Sequence, residues 1–351
     1  LLPRWISLFC GAWEELMPTN SDAKVNPAAK RVAVMGAGAV GSYFGGMLAR
    51  AGVPVTMIAR GAYVEAVLRN RLFLDTVTFQ ERVAVDVSTD PSAVRDAQVV
   101  LFCVKSPDNE ATARAIGPHL SADAIVVSLQ NGVDNVERIR AAAGIDALPA
   151  VVYVAAAMPE PGHVKHSGRG DLVVGEFAGR SAGAEVQPPR TEQIAALFAS
   201  ANVPCRISAD ILGDMWQKFI TNCGANAVSA IAQMSYGEIA RDDESRVLMT
   251  RVVEECIAVA RAAGVHTPGP DFTEKWLANL AKFGGAFSST AQDLARGKRT
   301  EIDSLNGYIV RRGTALGVPT PSNFALYALV RLLEDKAARE QQQARPAAAA
   351  R

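Results

Sequence analysis

Cysteine is scarce and unpatterned in this chain. The five are Cys10, Cys103, Cys205, Cys223 and Cys256, with no CxxC pair, and an odd number leaves at least one without a disulfide partner. That excludes a disulfide scaffold and a structural zinc ribbon, and it points to a reduced, cytoplasmic setting. Histidine is scarcer, four in all, and only His163 and His166 stand close together, in a stretch that reads as a hairpin loop; no metal site is expected. Neither sign of charge is in excess: Lys+Arg and Asp+Glu number 36 each. This removes the uniform field that would attract nucleic acid or an anionic membrane. No apolar run reaches the roughly 18 residues of a membrane span. The opening segment LLPRWISLFCGAWEEL lacks the basic start and long apolar centre of a secretion signal. Met17 reads as the natural start, residues 1–16 as a translation artefact, and residues 1–30 as an extension outside the fold.

What is present suits two folded domains. The chain has 351 residues, 49% of them hydrophobic, enough for a sizeable core. RVAVMG, VPVTMIA, AVDVS, AQVVLFCV and AIVVSLQ are strand candidates, each followed by loop or helix signals. Such alternation predicts a parallel α/β sheet. ALPAVVYVAAAM is a further apolar run. PGHVKHSGRGDLVVGE reads as a hairpin with its turn residues between two short strands, and VPCRIS as a last strand. After Asp210 the helical period takes over, so the boundary falls at 208–210. The expected class is a Rossmann-type sheet domain over 31–208, an all-α domain over 209–336, and a disordered tail over 337–351.

GAGAVG places Gly36, Gly38 and Gly41 in the G-x-G-x-x-G spacing, with Ala37, Ala39 and Val40 between them. Here the hexapeptide follows a strand and opens a helix, the context in which it binds a dinucleotide. The helix N-terminus then offers free N–H groups to the pyrophosphate. The second strand ends VTMIARG, with no acid for a ribose hydroxyl and with Arg60 at its tip. A guanidinium suits a 2′-phosphate, which favours NADP(H) over NAD(H); the bland alternative is a solvated loop charge. Lys105 in CVKS and Asn131 in SLQNG stand at two further strand tips, where ligands bind in such sheets.

One stretch conflicts with its surroundings. QKFITNCGAN, residues 217–226, is apolar in helical period, yet Lys218, Asn222 and Asn226 recur four apart. Four helical residues advance about 400°, so the three form one drifting stripe. Taken alone it reads as a solvated face. Glu301 beside Thr300 likewise reads, on its own, as a first-turn acid of a helix.

Together GAGAVG, Arg60, CVK, QNG, the KxxxNxxxN helix and SSTAQDLARGKRTEIDSLNG resemble the ketopantoate reductase family over about residues 31–335. The resemblance implies a two-domain, NADPH-dependent reductase that converts the 2-oxo acid 2-dehydropantoate to (R)-pantoate in pantothenate and coenzyme A synthesis. It implies Lys218 and Glu301 as catalytic residues, and Asn222, Asn226, Ser289 and Asn131 as substrate ligands. On the cofactor side it implies Gly36 to Gly41, Arg60, Lys105, Asn131 and Glu301. The partner implied is a small molecule, with a homodimer left open. A paralogue acting on another 2-oxo acid and a non-catalytic nucleotide sensor are the alternatives, and an intact Lys218–Asn222–Asn226–Ser289–Glu301 set speaks against the second.

Overall fold

A computed structural model describes residues 30–177 and 189–348; the expectations for residues 1–29 and 349–351 lie outside the described residues. Six strands form the expected parallel sheet: β1 (Val32–Met35), β2 (Val55–Ile58), β5 (Asp86–Ser88), β6 (Val99–Phe102), β7 (Ile125–Ser128) and β8 (Leu148–Glu160), in the order β5-β2-β1-β6-β7-β8. Strand order reverses between β1 and β6, so the crevice for a ligand opens above the carboxyl ends of those two strands. β1, β6 and β7 are four-residue β-branched runs buried on both faces, as sheets covered by helices on two sides require. α1 (Ala39–Arg50) packs on one face, with Phe44 fully buried and edge-on to Phe198.

The sheet continues beyond the expected strands. β3 (Leu72–Asp75) and β4 (Gln80–Val83) form an antiparallel pair with no counterpart in the sequence reading. β9 (His163–Val174) runs antiparallel to β8 and carries β3 and β10 (Cys205–Ile207) in parallel along its far edge. This corrects the hairpin reading. The turn is Pro161–Gly162, with Gly162 at φ 77°, and SGRG is no turn but an irregular stretch inside β9. His163 and His166 therefore lie in a strand rather than a loop.

No strand is described after Ile207. α6 (Ile211–Ala232) is the central helix, started by Asp210, whose carboxylate accepts from the Gly213 N–H at 3.0 Å. It packs Met215, Trp216, Phe219, Ile220 and Cys223 against α8 (Asp243–Ala262), α11 (Asn306–Leu316) and the sheet. A buried amide network locks this body. Asn306 donates to the Cys223 carbonyl at 3.1 Å and to Asn323 Oδ1 at 3.0 Å, while Asn323 donates to Glu255 at 2.8 Å.

Two further expectations need correction. The helix expected from Thr300 begins only at Asn306, because Leu305 has non-helical backbone angles, φ −103° and ψ −104°. The expected disordered tail is helical as far as Ala348. α12 (Pro321–Ala348) continues through AAREQQQA, whose residues are good helix formers, and Gln341 donates to the Gly297 carbonyl at 3.0 Å.

Candidate active site

The glycine loop is shaped by close contacts. A Cβ on Gly36 (φ 99°) would lie 2.7 Å from the Val104 nitrogen, and one on Gly41 would lie 2.4 Å from the Gly36 carbonyl oxygen. At Gly38 an added Cβ would meet no atom within 4 Å. Space therefore stands open above that residue, beside an α1 N-terminus that has no side-chain cap and no acid in its first turn. An open cradle at an uncapped helix start fits a dinucleotide pyrophosphate. Arg60 extends from the end of β2, 94% exposed, with Nη2 3.6 Å from Asp108.

The polar groups at the strand tips turn toward the helical body. Lys105 pairs with Asp293 at 2.5 Å and donates to the Arg299 carbonyl at 3.3 Å. Asn131 stands between two charges: its Oδ1 accepts from Lys218 Nζ at 3.0 Å, and its Nδ2 donates to Glu301 Oε2 at 3.3 Å. The other Glu301 oxygen accepts from the Ser106 N–H at 3.3 Å and the Ser106 hydroxyl at 3.2 Å. The two acids of TEID thus have opposite destinations. Glu301 reaches the sheet domain, whereas Asp303 accepts from Tyr327 at 2.7 Å and Arg331 at 2.8 Å on α12.

Lys218 is not a solvated charge. Its ammonium also donates to the Val152 carbonyl of β8 and lies 5.6 Å from the centre of the Tyr153 ring. With Asn131, Gly132, Val151, Met215, Phe219 and Asn222 it lines a narrow recess between α6, the loop after β7 and the first residues of β8. Burial pulls its pKa down to about 8; the Glu301 carboxylate opposes that shift and the Arg169 guanidinium adds to it. An ammonium has three donors, and two are committed here. Among the described hydrogen bonds the third has no acceptor.

The remaining expected residues divide. Asn222 lines the recess beside Lys218. Asn226 is 4% exposed, and its Oδ1 accepts from the Tyr236 hydroxyl at 2.8 Å. Ser289 is exposed as the first residue of α10 (Ser289–Ala295), while its neighbour Ser288 caps that helix and donates to the Asn226 carbonyl at 3.0 Å. Ser106, the Val152 carbonyl, Tyr153 and Asp293 complete the arrangement and escaped the sequence reading. Ser106 had a signal, as the neighbour of Lys105 at a strand tip. The β8 groups had none, because nothing local says which strand a helix will cover. A roomier cavity, about 500 Å³, lies beside the first turns of α6. It shares no residue with the recess.

Residues 32–179 match the family model "Ketopantoate reductase PanE/ApbA", and residues 210–334 match "Ketopantoate reductase PanE/ApbA C terminal". The chain is 33% identical over 307 residues to the 2-dehydropantoate 2-reductase of Halobacterium salinarum, covering 87% of this chain and 99% of that protein. It is similar to a PanE/ApbA family ketopantoate reductase structure from Ralstonia eutropha JMP134, at 50% identity and a TM-score of 0.80, over 88% of this chain and 99% of that one. The fold is also that of a D-mandelate dehydrogenase with NADH and anilino(oxo)acetate, at 23% identity and a TM-score of 0.78, over 88% of this chain and 99% of the other.

Proposed function

The chain belongs to the ketopantoate reductase family, and from that premise we propose that it reduces 2-dehydropantoate to (R)-pantoate with NADPH, Lys218 acting as the general acid. It is an oxidoreductase of CH–OH groups with a Rossmann-type nicotinamide-binding fold. The observation that carries the finer reading is the setting of Lys218: an ammonium enclosed in the recess, held by Asn131 and the Val152 carbonyl, with one donor uncommitted among the described hydrogen bonds. NADPH, when bound, supplies the hydride. Lys218 donates a hydrogen bond to the ketone oxygen, stabilises the charge that grows there, and transfers its proton to complete the hydroxyl. Asn131 and the Val152 carbonyl fix the ammonium in place. Glu301 holds Asn131 and keeps the lysine proton from leaving too early. Asn222 adds a neutral donor and acceptor at the recess, and Asn226 supports the helix face below it. Gly36 to Gly41 would receive the pyrophosphate and Arg60 the 2′-phosphate. We assign residues 31–208 to the cofactor domain and 209–336 to the catalytic domain. The test is NADPH oxidation by purified protein over a panel of 2-oxo acids. Turnover of 2-dehydropantoate above all others supports the assignment; preference for another acid moves the substrate, and preference for NADH overturns the cofactor.

A further inference from the structure

The region of β9 that the sequence read as a turn bears on substrate recognition. Two register shifts bracket Arg169: Tyr153 pairs with Asp171 and Val154 with Arg169, then Ala155 pairs with Gly168 and Ala156 with His166. Gly170 and Ser167 are thus the extra residues of two bulges. Bulges re-aim side chains, and they concentrate next to functional sites. Arg169 itself has φ 54°, the left-handed region that a non-glycine residue seldom enters. The backbone here departs from a regular strand on both sides of a single side chain.

That side chain is held firmly and left half open. Its Cζ lies 4.0 Å over the Tyr153 ring, and its Nε and Nη2 donate to the two Asp171 oxygens at 3.0 and 2.8 Å. Asp171 therefore occupies one edge of the guanidinium. The other edge, with Nη1, is uncommitted among the described hydrogen bonds, and the side chain is 54% exposed. Tyr153 is the ring beside which Lys218 Nζ stands at 5.6 Å. Two cations thus stand near one aromatic ring; Arg169 lowers the lysine pKa and its partner Asp171 raises it. Asp171, the smaller of the two influences on the lysine, leaves part of the repulsion between the cations for a bound anion to relieve.

We propose that Arg169 is the carboxylate-binding residue of the site, its open guanidinium edge receiving the carboxylate of the 2-oxo acid whose ketone meets Lys218. This rests on the reductase reading above. A 2-oxo acid that takes one hydrogen bond of about 2.8 Å from each cation bridges nitrogens roughly 6–9 Å apart. Two heads at the stated distances from one ring can meet that span. A planar fork matches a carboxylate, and the stacked ring fixes the fork's plane. Lys105 is less suited to the part: its one ammonium is held by both Asp293 and the Arg299 carbonyl, whereas Arg169 keeps a second guanidinium edge beside its Asp171 pair.

The test compares a 2-oxo acid with its neutral methyl ester, using wild type, Arg169→Gly and Arg169→Lys. Glycine suits the backbone at φ 54°, so the fold is retained in the first variant. Arg169→Gly is expected to raise KM for the acid by about tenfold to a hundredfold, with KM for the ester and kcat changed much less. Arg169→Lys restores part of the loss. Equal changes for acid and ester, or none for the acid, overturn the proposal. If wild type ignores 2-dehydropantoate but reduces another 2-oxo acid, the substrate reading fails and the comparison runs on that acid. If wild type reduces no 2-oxo acid, both fail.

Discussion

An ammonium removed from water surrenders its proton more readily, so if Lys218 is the proton donor proposed above, its pKa near 8 should set the pH behaviour of the reduction. Reduction needs the charged form. In wild type, kcat/KM for the keto acid should therefore fall as pH rises through about 8, with the loss of one proton. Glu301 raises the lysine pKa, so Glu301→Gln should shift that limb to lower pH; a pH–rate profile of both proteins checks it. The same shift has a stability sign. The folded pKa lies below the ordinary 10.5, so the unfolded chain binds this proton more strongly. The penalty is complete below pH 8 and disappears as pH rises toward 10.5. At roughly 1.4 kcal/mol per unit it is on the order of 3 kcal/mol. Lys218→Met also costs the Asn131 and Val152 contacts, so the sign to test is the pH trend: wild type should gain stability relative to the variant as pH rises from 8 to 10.5, as thermal melts at both ends will show. Arg60 is the residue proposed for the cofactor's 2′-phosphate. Arg60→Ala should weaken NADPH by about tenfold to a hundredfold and NADH far less. Equal losses for the two cofactors in a titration would remove Arg60 as the phosphate contact.

At the scale of elements, α6 must hold Lys218 still, and the Asn306–Asn323–Glu255 network does this by tying α11 and α12 to α6 and α8. Asn306→Ala leaves the Cys223 carbonyl and Asn323 without their partner, at a cost of about 1–3 kcal/mol. Denaturant unfolding should register that loss while NADPH binding is unchanged. α6 was legible as an apolar helix, but its Lys-Asn-Asn stripe alone read as a solvated face and took its role only from the resemblance; the glycine loop was legible because its spacing answers a backbone requirement. The irregular part of β9 was not. Gly168, Arg169 and Gly170 carry turn chemistry, and only pairing with the distant β8 converts that local preference into bulges. The tail was misread for a related reason. Composition alone suggested fraying, whereas Gln341 finds the Gly297 carbonyl from a continuing helix.

In the whole molecule, the candidate site exists only where the sheet body and the helical body meet. Lys105 to Asp293, Ser106 and Asn131 to Glu301, and Lys218 to Val152 all cross that seam. The sequence supplied most of these residues singly; which pairs would close across the seam depended on the approach of two bodies, and no local pattern encodes that. Asp293→Asn should consequently weaken the coupling without touching the acid itself, leaving Lys105 free to turn toward the cleft, and its effect on KM for the keto acid should be smaller than that of any change at Lys218. The central claim is the proton donor. The direct measurement is steady-state reduction of 2-dehydropantoate by Lys218→Ala, with NADPH affinity titrated on the same folded sample. The account predicts a kcat lower by at least about a hundredfold and an almost unaltered NADPH affinity, since the glycine loop and Arg60 belong to the other body. Near wild-type turnover by the folded variant would contradict it.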